Sequence, residues 1–136
     1  MTMSLFSVFG IAGSGVTVHR KWLDAVADNL ANVNTVRSTN EEAFRARYVL
    51  AQAVDYGNGT GGVAVAGTAL GNAEGRIVYD PQHPLADENG NVRLPDIDLA
   101  AQMTQLIVAQ RGYQASLAVV DRARDAYSAA IQVGRA

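Results

Sequence analysis

The sequence predicts a mainly α-helical chain with a small β-containing insertion. Apolar residues recur at heptad spacing near both ends of the chain, which predicts an N-terminal and a C-terminal helix. Glycine and β-favouring residues concentrate between them, which predicts the insertion. We expect residues 1–35 to form the N-terminal helix, 36–95 an irregular β-containing insertion with a glycine-rich loop, and 96–136 a long C-terminal helix.

The N-terminal helix is indicated by six residues spaced 3-4-3-4-3, which are Val16, His19, Leu23, Val26, Leu30 and Val33. Ser14 or Thr17 is the expected N-cap, following the glycine-bearing stretch GIAGSG. The stretch DNLANVNT near its end holds three asparagines, although asparagine is a poor helix former. We expect Asn34 and Thr35 to mark the exit from the helix. Asn29 and Asn32 stand beside the seam, and two interpretations are open: they face solvent at a fraying helix end, or they make polar contacts that set the register between packed helices.

The insertion is predicted to be irregular because seven glycines fall within residues 57–75, which reads as a flexible loop with short β pieces. The segment FRARYVLAQA, residues 44–53, fits a strand or a short helix, and its centre favours extended structure. The segment RIVYD and the following residues predict a strand, a loop, a turn and a second strand. Asn89 and Gly90 supply the turn.

The C-terminal helix carries the longest pattern, with spacing 4-3-4-3-4-3-4-3-4 over Leu99, Met103, Leu106, Gln110, Tyr113, Leu117, Val120, Arg124, Tyr127 and Ile131. Eight of these ten residues are apolar, which is typical of a helix packed along its length against other helices. Asp96 or Asp98 is the expected cap at its start and Gly134 the expected end.

The matching seams predict that the two terminal helices pair as a coiled-coil-like hairpin, with the C-terminal helix long and projecting. The shorter N-terminal helix would cover only about half of the C-terminal seam. An apolar stripe from Leu117 onwards, including Val120, Tyr127 and Ile131, would then remain exposed in a monomer. Exposed apolar surface of this size predicts self-association or a dedicated partner.

Composition argues against several function classes. The net charge is −2 without a basic run, so the electrostatic footprint of nucleic-acid binding is missing. The chain has no cysteine, which removes disulfides and thiolate chemistry, and no basic residues precede its first apolar stretch, unlike a secretory signal. Asp80, His83 and Asp87 could be imagined as metal ligands, but prolines flank the histidine and favour a structural loop. We expect no enzyme, no cofactor, no metal and no membrane insertion.

Three ordered segments resemble the bacterial flagellar basal-body rod protein family. The stretch SGVTVHRKWLDAVADNLANVNT is similar to the family's N-terminal signature, with Asp28 in place of its usual first asparagine. The stretch around MTQLIVAQRGYQA is similar to the C-terminal signature, in which Gly112 and Ser116 replace the usual serine and asparagine. The segment YDPQHPLADENGNVRLP resembles the proximal rod members.

The resemblance implies a structural subunit that assembles through its terminal helices into the helical tube of the rod, which transmits torque. Implied partners are copies of the chain itself, rod proteins of the FlgB, FlgF and FlgG types and the FliE-type base adaptor. It also implies passage through the flagellar type III export apparatus, without a cleaved signal peptide, to the basal body. The alternative is a non-polymerising helical-hairpin adaptor that binds one protein partner.

Candidate interface residues follow from the two seams and the asparagines beside them. On the N-terminal helix they are Leu23, Val26, Asn29, Leu30, Asn32 and Val33. On the C-terminal helix they are Leu106, Tyr113, Gln114, Leu117, Val120, Tyr127 and Ile131.

Overall fold

The computed structural model describes residues 5–57 and 60–135. The element order is α1 (Leu5–Ala31), β1 (Arg47–Gly57), β2 (Thr60–Leu70), β3 (Arg76–Tyr79), β4 (Asn91–Leu94) and α2 (Leu99–Val133). The prediction of a mainly α-helical chain with a small β insertion is confirmed. Residues 1–4 of the predicted N-terminal segment, residues 58–59 of the glycine-rich stretch and the final residue lie outside this description.

Helix α1 begins at Leu5, so the predicted N-cap at Ser14 or Thr17 is wrong. Both hydroxyls instead donate to carbonyls one turn back, Ser14 Oγ to Ile11 and Thr17 Oγ1 to Gly13. Gly10, Gly13 and Gly15 lie inside the helix, at a cost of about 1 kcal/mol each relative to alanine. The helix ends at Ala31, and a turn over residues 32–34 follows, close to the predicted exit.

The predicted glycine-rich loop is wrong, because Thr60–Leu70 forms strand β2, which pairs with β1. A connection of two residues makes this pair an antiparallel hairpin. A Cβ atom added at Gly61 would lie 2.7 Å from the Val54 carbonyl oxygen, and one at Gly62 would lie 2.5 Å from Ser14 Oγ. These glycines therefore allow close approach within the sheet and to α1, and do not mark a loop.

The second sheet confirms the predicted strand, loop, turn and strand. β3 and β4 are antiparallel, with Val78 opposite Val92, and Arg37 extends the other edge of β4 by a bridge to Arg93. Gly90 has a φ of 76°, which a residue with a side chain rarely adopts. Asp87 Oδ1 accepts hydrogen bonds from the backbone N–H groups of Asn89 and Asn91 and so holds this turn.

Helix α2 begins one residue after Asp98, whose Oδ1 accepts hydrogen bonds from the N–H groups of Ala100 and Ala101. Of the two predicted caps, Asp98 is therefore the one used. The helix has 35 residues and a length of about 52 Å. It ends at Val133, and the Gly134 N–H donates to the Ala130 carbonyl.

The described chain divides into two compact units, and both helices and the β1–β2 hairpin contribute to each. The first contains residues up to Leu23, Leu50–Gly67 and Val108 onwards. The second contains Asp24–Val49 and Thr68–Ile107. The second unit has the larger core, formed by Ala25, Val26, Ala43, Ala46, Val92, Pro95 and Ile97. The buried apolar residues of the first unit are small: Ala12, Val18, Ala109 and Ala123.

Candidate assembly surfaces

In the first unit, α1 and α2 approach each other closely through small residues. A Cβ atom added at Gly15 would lie 3.0 Å from Ser116 Oγ, and one added at Gly112 would overlap the His19 imidazole. Gly15 of α1 lies against Ser116 of α2. His19, one turn further along α1, lies against Gly112, which is one turn earlier on α2. The two helix segments therefore run antiparallel, and Gly112 provides the space that the His19 ring occupies.

The His19 ring is fixed in this position by two further contacts. Its Nδ1 lies 2.8 Å from the Gly15 carbonyl oxygen, which can only accept, so Nδ1 carries the hydrogen. The ring also stacks on Trp22, with centroids 6.2 Å apart. His19, which the heptad spacing places on the N-terminal seam, therefore packs against α2.

The packed seam of α2 differs from the predicted one. The residues with the most burial are Gln102, Ala109 and Ala123, with half-buried Leu106, Tyr113, Ser116 and Val120 between them. Leu106, Tyr113 and Val120 belong to the predicted seam. At four other positions the packed residue is the one before the predicted residue: Gln102 instead of Met103, Ala109 instead of Gln110, Ser116 instead of Leu117, and Ala123 instead of Arg124. Close helix contact selects small side chains, and the prediction had followed the large ones.

In the second unit, the Asn29 amide joins three elements. Its Oδ1 accepts from the Arg47 N–H at 2.8 Å, and its Nδ2 donates to the Arg47 carbonyl and to Gln102 Oε1, both at 3.0 Å. Asn29 is 1% exposed, so its polar atoms need these partners. The Asn29 amide bonds to both the N–H and the carbonyl of Arg47 in β1, as the backbone of a neighbouring strand would. It also bonds to Gln102 of α2. Sequence reasoning identified Asn29 but missed Arg47.

Asn32 has a local role. Its Nδ2 donates to the Asp28 carbonyl at 2.8 Å, and its Oδ1 accepts from Thr35 Oγ1. These bonds close the end of α1 and do not reach another helix. An ion pair between Asp28 and Arg47 at 2.5 Å lies nearby, but both side chains are about half exposed, so its contribution to stability is small.

The candidate interface residues are placed differently by the structure. Val26 and Asn29 are buried within the chain. Half-buried residues are Leu23, Leu30, Asn32, Val33, Leu106, Tyr113 and Val120, and the exposed ones are Gln114, Leu117, Tyr127 and Ile131. Their role in assembly stays a prediction.

Helix α2 exposes large apolar side chains in both units. In the first unit Leu117 and Ile131 are 38% and 43% exposed, and Arg124 lies midway between them at the same seven-residue spacing. We call Leu117, Arg124 and Ile131 the α2 ridge. In the second unit Leu99, Met103 and Ile107 are about half exposed. Helix α1 covers more of α2 than the sequence predicted, because it begins earlier, and the Phe6 ring contacts the Tyr127 ring edge-on.

The loop around His83 forms internal contacts. His83 Nδ1 accepts from the Leu85 N–H at 3.1 Å, and the Asp80 carbonyl accepts from the His83 N–H. Hydrogen bonds from the Asn91 backbone, opposed in part by burial and assisted by Thr39 and the Asn89 backbone, hold the pKa of Asp87 below its ordinary value. Among the described residues there is no group of three or more histidines and carboxylates that could hold a metal.

Comparison with known proteins identifies the family. The family model for the flagellar basal body rod FlgEFG protein C-terminal region matches residues 88–133. The flagellar basal-body rod protein FlgC of Salmonella typhimurium is 36% identical over 98% of this chain and 100% of that protein. The chain belongs to the FlgC family of flagellar basal-body rod proteins.

FlgC proteins of two further bacteria are also similar to this chain. The FlgC protein of Borreliella burgdorferi is 32% identical over 96% of this chain and 98% of that protein. That of Aquifex aeolicus is 34% identical over 85% of this chain and 86% of that protein. Within the described parts of this FlgC-family chain, no helix is long and apolar enough to cross a membrane.

Proposed function

We propose that the chain is a structural subunit of the flagellar proximal rod, without catalytic activity, which packs through α1 and α2 against other subunits. One observation carries the proposal: in a chain of the FlgC family, α2 exposes large apolar side chains in both compact units. A helix surface of this kind is favourable only when another surface removes it from water.

The pairing of the terminal helices supports the proposal. We infer that they form a coiled-coil-like hairpin, since Gly15 contacts Ser116 and His19 contacts Gly112 in antiparallel order. Interdigitated helices resist shear, because side chains in a close-packed interface have no free volume into which to move. A tube built from such hairpins would transmit torque.

The proposed partners follow from the family. They are copies of this chain, the rod proteins of the FlgB, FlgF and FlgG types, and the FliE-type adaptor at the base. The proposed route is the flagellar type III export apparatus, with no cleaved signal peptide, and the proposed location is the rod of the basal body. Nucleic acid is not among the proposed partners, since the net charge is −2.

The test uses the exposed α2 ridge. Leu117→Asp combined with Ile131→Asp places two charges on this surface, and we expect loss of swimming and of the chain from the basal-body fraction. Val120 is half-buried, so aspartate there would also disturb the chain itself. The matched control is Ala118→Asp, an exposed residue of the same helix about 100° from Leu117.

Deleting the chain from its host should stop filament assembly. Normal swimming after deletion, in a host without a second copy, would contradict the rod function. Presence of the wild-type chain only in the cytoplasm, bound to one protein, would instead support the alternative of a non-polymerising adaptor. Incorporation of the ridge variant into basal bodies at wild-type levels would show that the α2 ridge is not an assembly surface.

A further inference from the structure

In the first unit, Ser14 of α1 contacts the β1–β2 hairpin through its hydroxyl. The Ser14 Oγ donates to the Ile11 carbonyl at 2.7 Å, which uses the single hydrogen of the hydroxyl. The same Oγ accepts a hydrogen bond from the Val63 N–H of β2 at 3.0 Å. Both partners are backbone groups, so they fix the direction of the hydroxyl as well as its position.

The bond between Ser14 and Val63 joins α1 to the free edge of β2. In a two-stranded antiparallel sheet, the N–H groups of each strand point alternately toward the other strand and away from it. The Val63 N–H reaches Ser14 and therefore points away from β1. A helix side chain supplies the partner that a third strand would otherwise supply, and it covers part of an exposed sheet edge.

Gly62 allows β2 to come this close to α1. A Cβ atom added at Gly62 would lie 2.5 Å from Ser14 Oγ and 3.2 Å from Ser14 Cβ, so a side chain there would push the strand off the helix. A shift of β2 by two residues would place Thr60 or Ala64 at this position, and both have side chains. A shift by one residue would turn the other face of the strand toward α1. The contact therefore selects one register of β2 on α1.

Gly15, the next residue of α1, makes a corresponding contact to α2. Here the glycine belongs to α1 and the hydroxyl to Ser116, and an added Cβ atom would lie 3.0 Å from Ser116 Oγ. Two consecutive residues of α1 therefore contact the hairpin and α2, and in each contact a serine faces a glycine.

We propose that Ser14 is a positioning residue for assembly: it fixes the hairpin on α1 at the register of Gly62 and Val63, and the chain enters the rod only with the hairpin in this position. The inference rests on the proposed function. The hairpin carries exposed Tyr56 and Val65, so its displacement would move large side chains across the surface of the subunit. The Ser14 hydroxyl is not needed for the helix itself, because alanine has the higher helix propensity.

The first experiment removes the hydroxyl. In the purified full-length chain, we expect Ser14→Ala to raise the hydrogen-exchange rate of the Val63 amide about 5-fold, with unchanged helix content by circular dichroism. In the host, this variant should be lost from the basal-body fraction. Thr17→Ala is the matched control, because Thr17 Oγ1 also donates to a carbonyl one turn back, that of Gly13, and this bond stays within α1. The control should exchange and assemble like the wild type.

A disulfide tests the position of the hairpin independently of the hydrogen bond. The chain has no cysteine, so Ser14→Cys with Gly62→Cys creates one possible pair. The 3.2 Å between the two Cβ atoms is close to the roughly 3.5–4.5 Å found in disulfides. Each single substitution should be lost from basal bodies, since one removes the hydroxyl and the other overlaps it. The double variant should form the disulfide outside the cytoplasm and regain wild-type incorporation.

Four results would overturn the inference. They are an unchanged exchange rate of the Val63 amide in Ser14→Ala, equal incorporation of Ser14→Ala and Thr17→Ala, absence of the disulfide in the double variant, and a disulfide-linked double variant that stays out of the basal body. None of these results contradicts the rod function, which fails instead if deletion of the whole chain leaves swimming normal.

Discussion

At the scale of single residues, Asn29 shows why a poor helix former is placed inside a helix. Asparagine costs helical stability relative to alanine, by up to about 0.7 kcal/mol. Its amide is the only side chain in α1 that bonds both to β1 and to α2 among the hydrogen bonds of the described residues. The three bonds at a buried position offset the lost propensity, so the packing of the second unit determines the residue.

Asn29→Ala should destabilise the chain by about 3 kcal/mol, since it leaves the Arg47 N–H and Gln102 Oε1 without their partner at a buried site. Urea unfolding followed by circular dichroism measures the change. Asn34→Ala is the matched control, because Asn34 is exposed, and should change the free energy of unfolding by less than about 0.5 kcal/mol. Equal effects of the two substitutions would show that the hydrogen bonds of Asn29 to Arg47 and Gln102 do not stabilise the fold.

Asp87 gives the chain a predicted loss of stability in acid. Its pKa in the folded state is lowered from 3.8, chiefly by the hydrogen bond from the Asn91 backbone. A lowered folded-state pKa stabilises the fold above the unfolded-state value, and this contribution is lost as the pH falls through the folded-state value. We expect the stability difference between wild type and Asp87→Asn to shrink as the pH falls below 3.8. A constant difference across acid unfolding curves would contradict this.

At the scale of elements, the contact between α1 and α2 in the first unit depends on paired residue sizes. Heptad spacing predicted both helices, but it placed large side chains of α2, such as Met103 and Leu117, in the contact with α1. The contact is instead made where a small residue faces a larger one, as Gly112 faces His19. Spacing along one helix cannot reveal this, because the size that fits depends on the residue across the interface.

Gly112→Ala should destabilise the chain by about 1–3 kcal/mol, because the added methyl group would overlap the His19 ring. In a His19→Ala background the same change should be neutral or stabilising, by up to about 1 kcal/mol, since alanine favours helix. A double-mutant cycle by urea unfolding measures this coupling.

Gly13→Ala is the control for Gly112→Ala, since a Cβ atom there would meet nothing within 4 Å beyond its chain neighbours and the backbone of its own helix. It should stabilise the helix by about 0.5–1 kcal/mol. If Gly112→Ala were also stabilising with His19 present, this result would contradict the close contact between Gly112 and the His19 ring.

At the scale of the whole molecule, low charge and exposed apolar residues on α2 make association hydrophobic in origin. The net charge is −2, so charge repulsion between copies is weak. Charged residues are 18% of the chain, fewer than in most soluble domains, so attractive ion pairs between copies are few as well. Large apolar side chains of α2 remain exposed after both units have formed their own cores.

Self-association of the purified chain should therefore persist in about 1 M salt, where charge interactions are screened, and weaken on cooling. Sedimentation velocity across salt and temperature measures both effects. Leu117→Asp with Ile131→Asp should be monomeric in every condition. Dissociation by salt alone would indicate an electrostatic contact and contradict the hydrophobic one.

The sequence by itself determined the two terminal helices, the β3–β4 hairpin with its turn at Gly90, and the family, since these depend on local spacing and on ordered motifs. Only the tertiary structure decided which residues of α2 face α1, that β2 is a strand, and that Asn29 pairs with Arg47. Each of these depends on a partner distant in the chain. At Gly61 and Gly112 the space that a side chain would fill is occupied by the Val54 carbonyl oxygen and by the His19 ring, and no local sequence pattern reveals these neighbours.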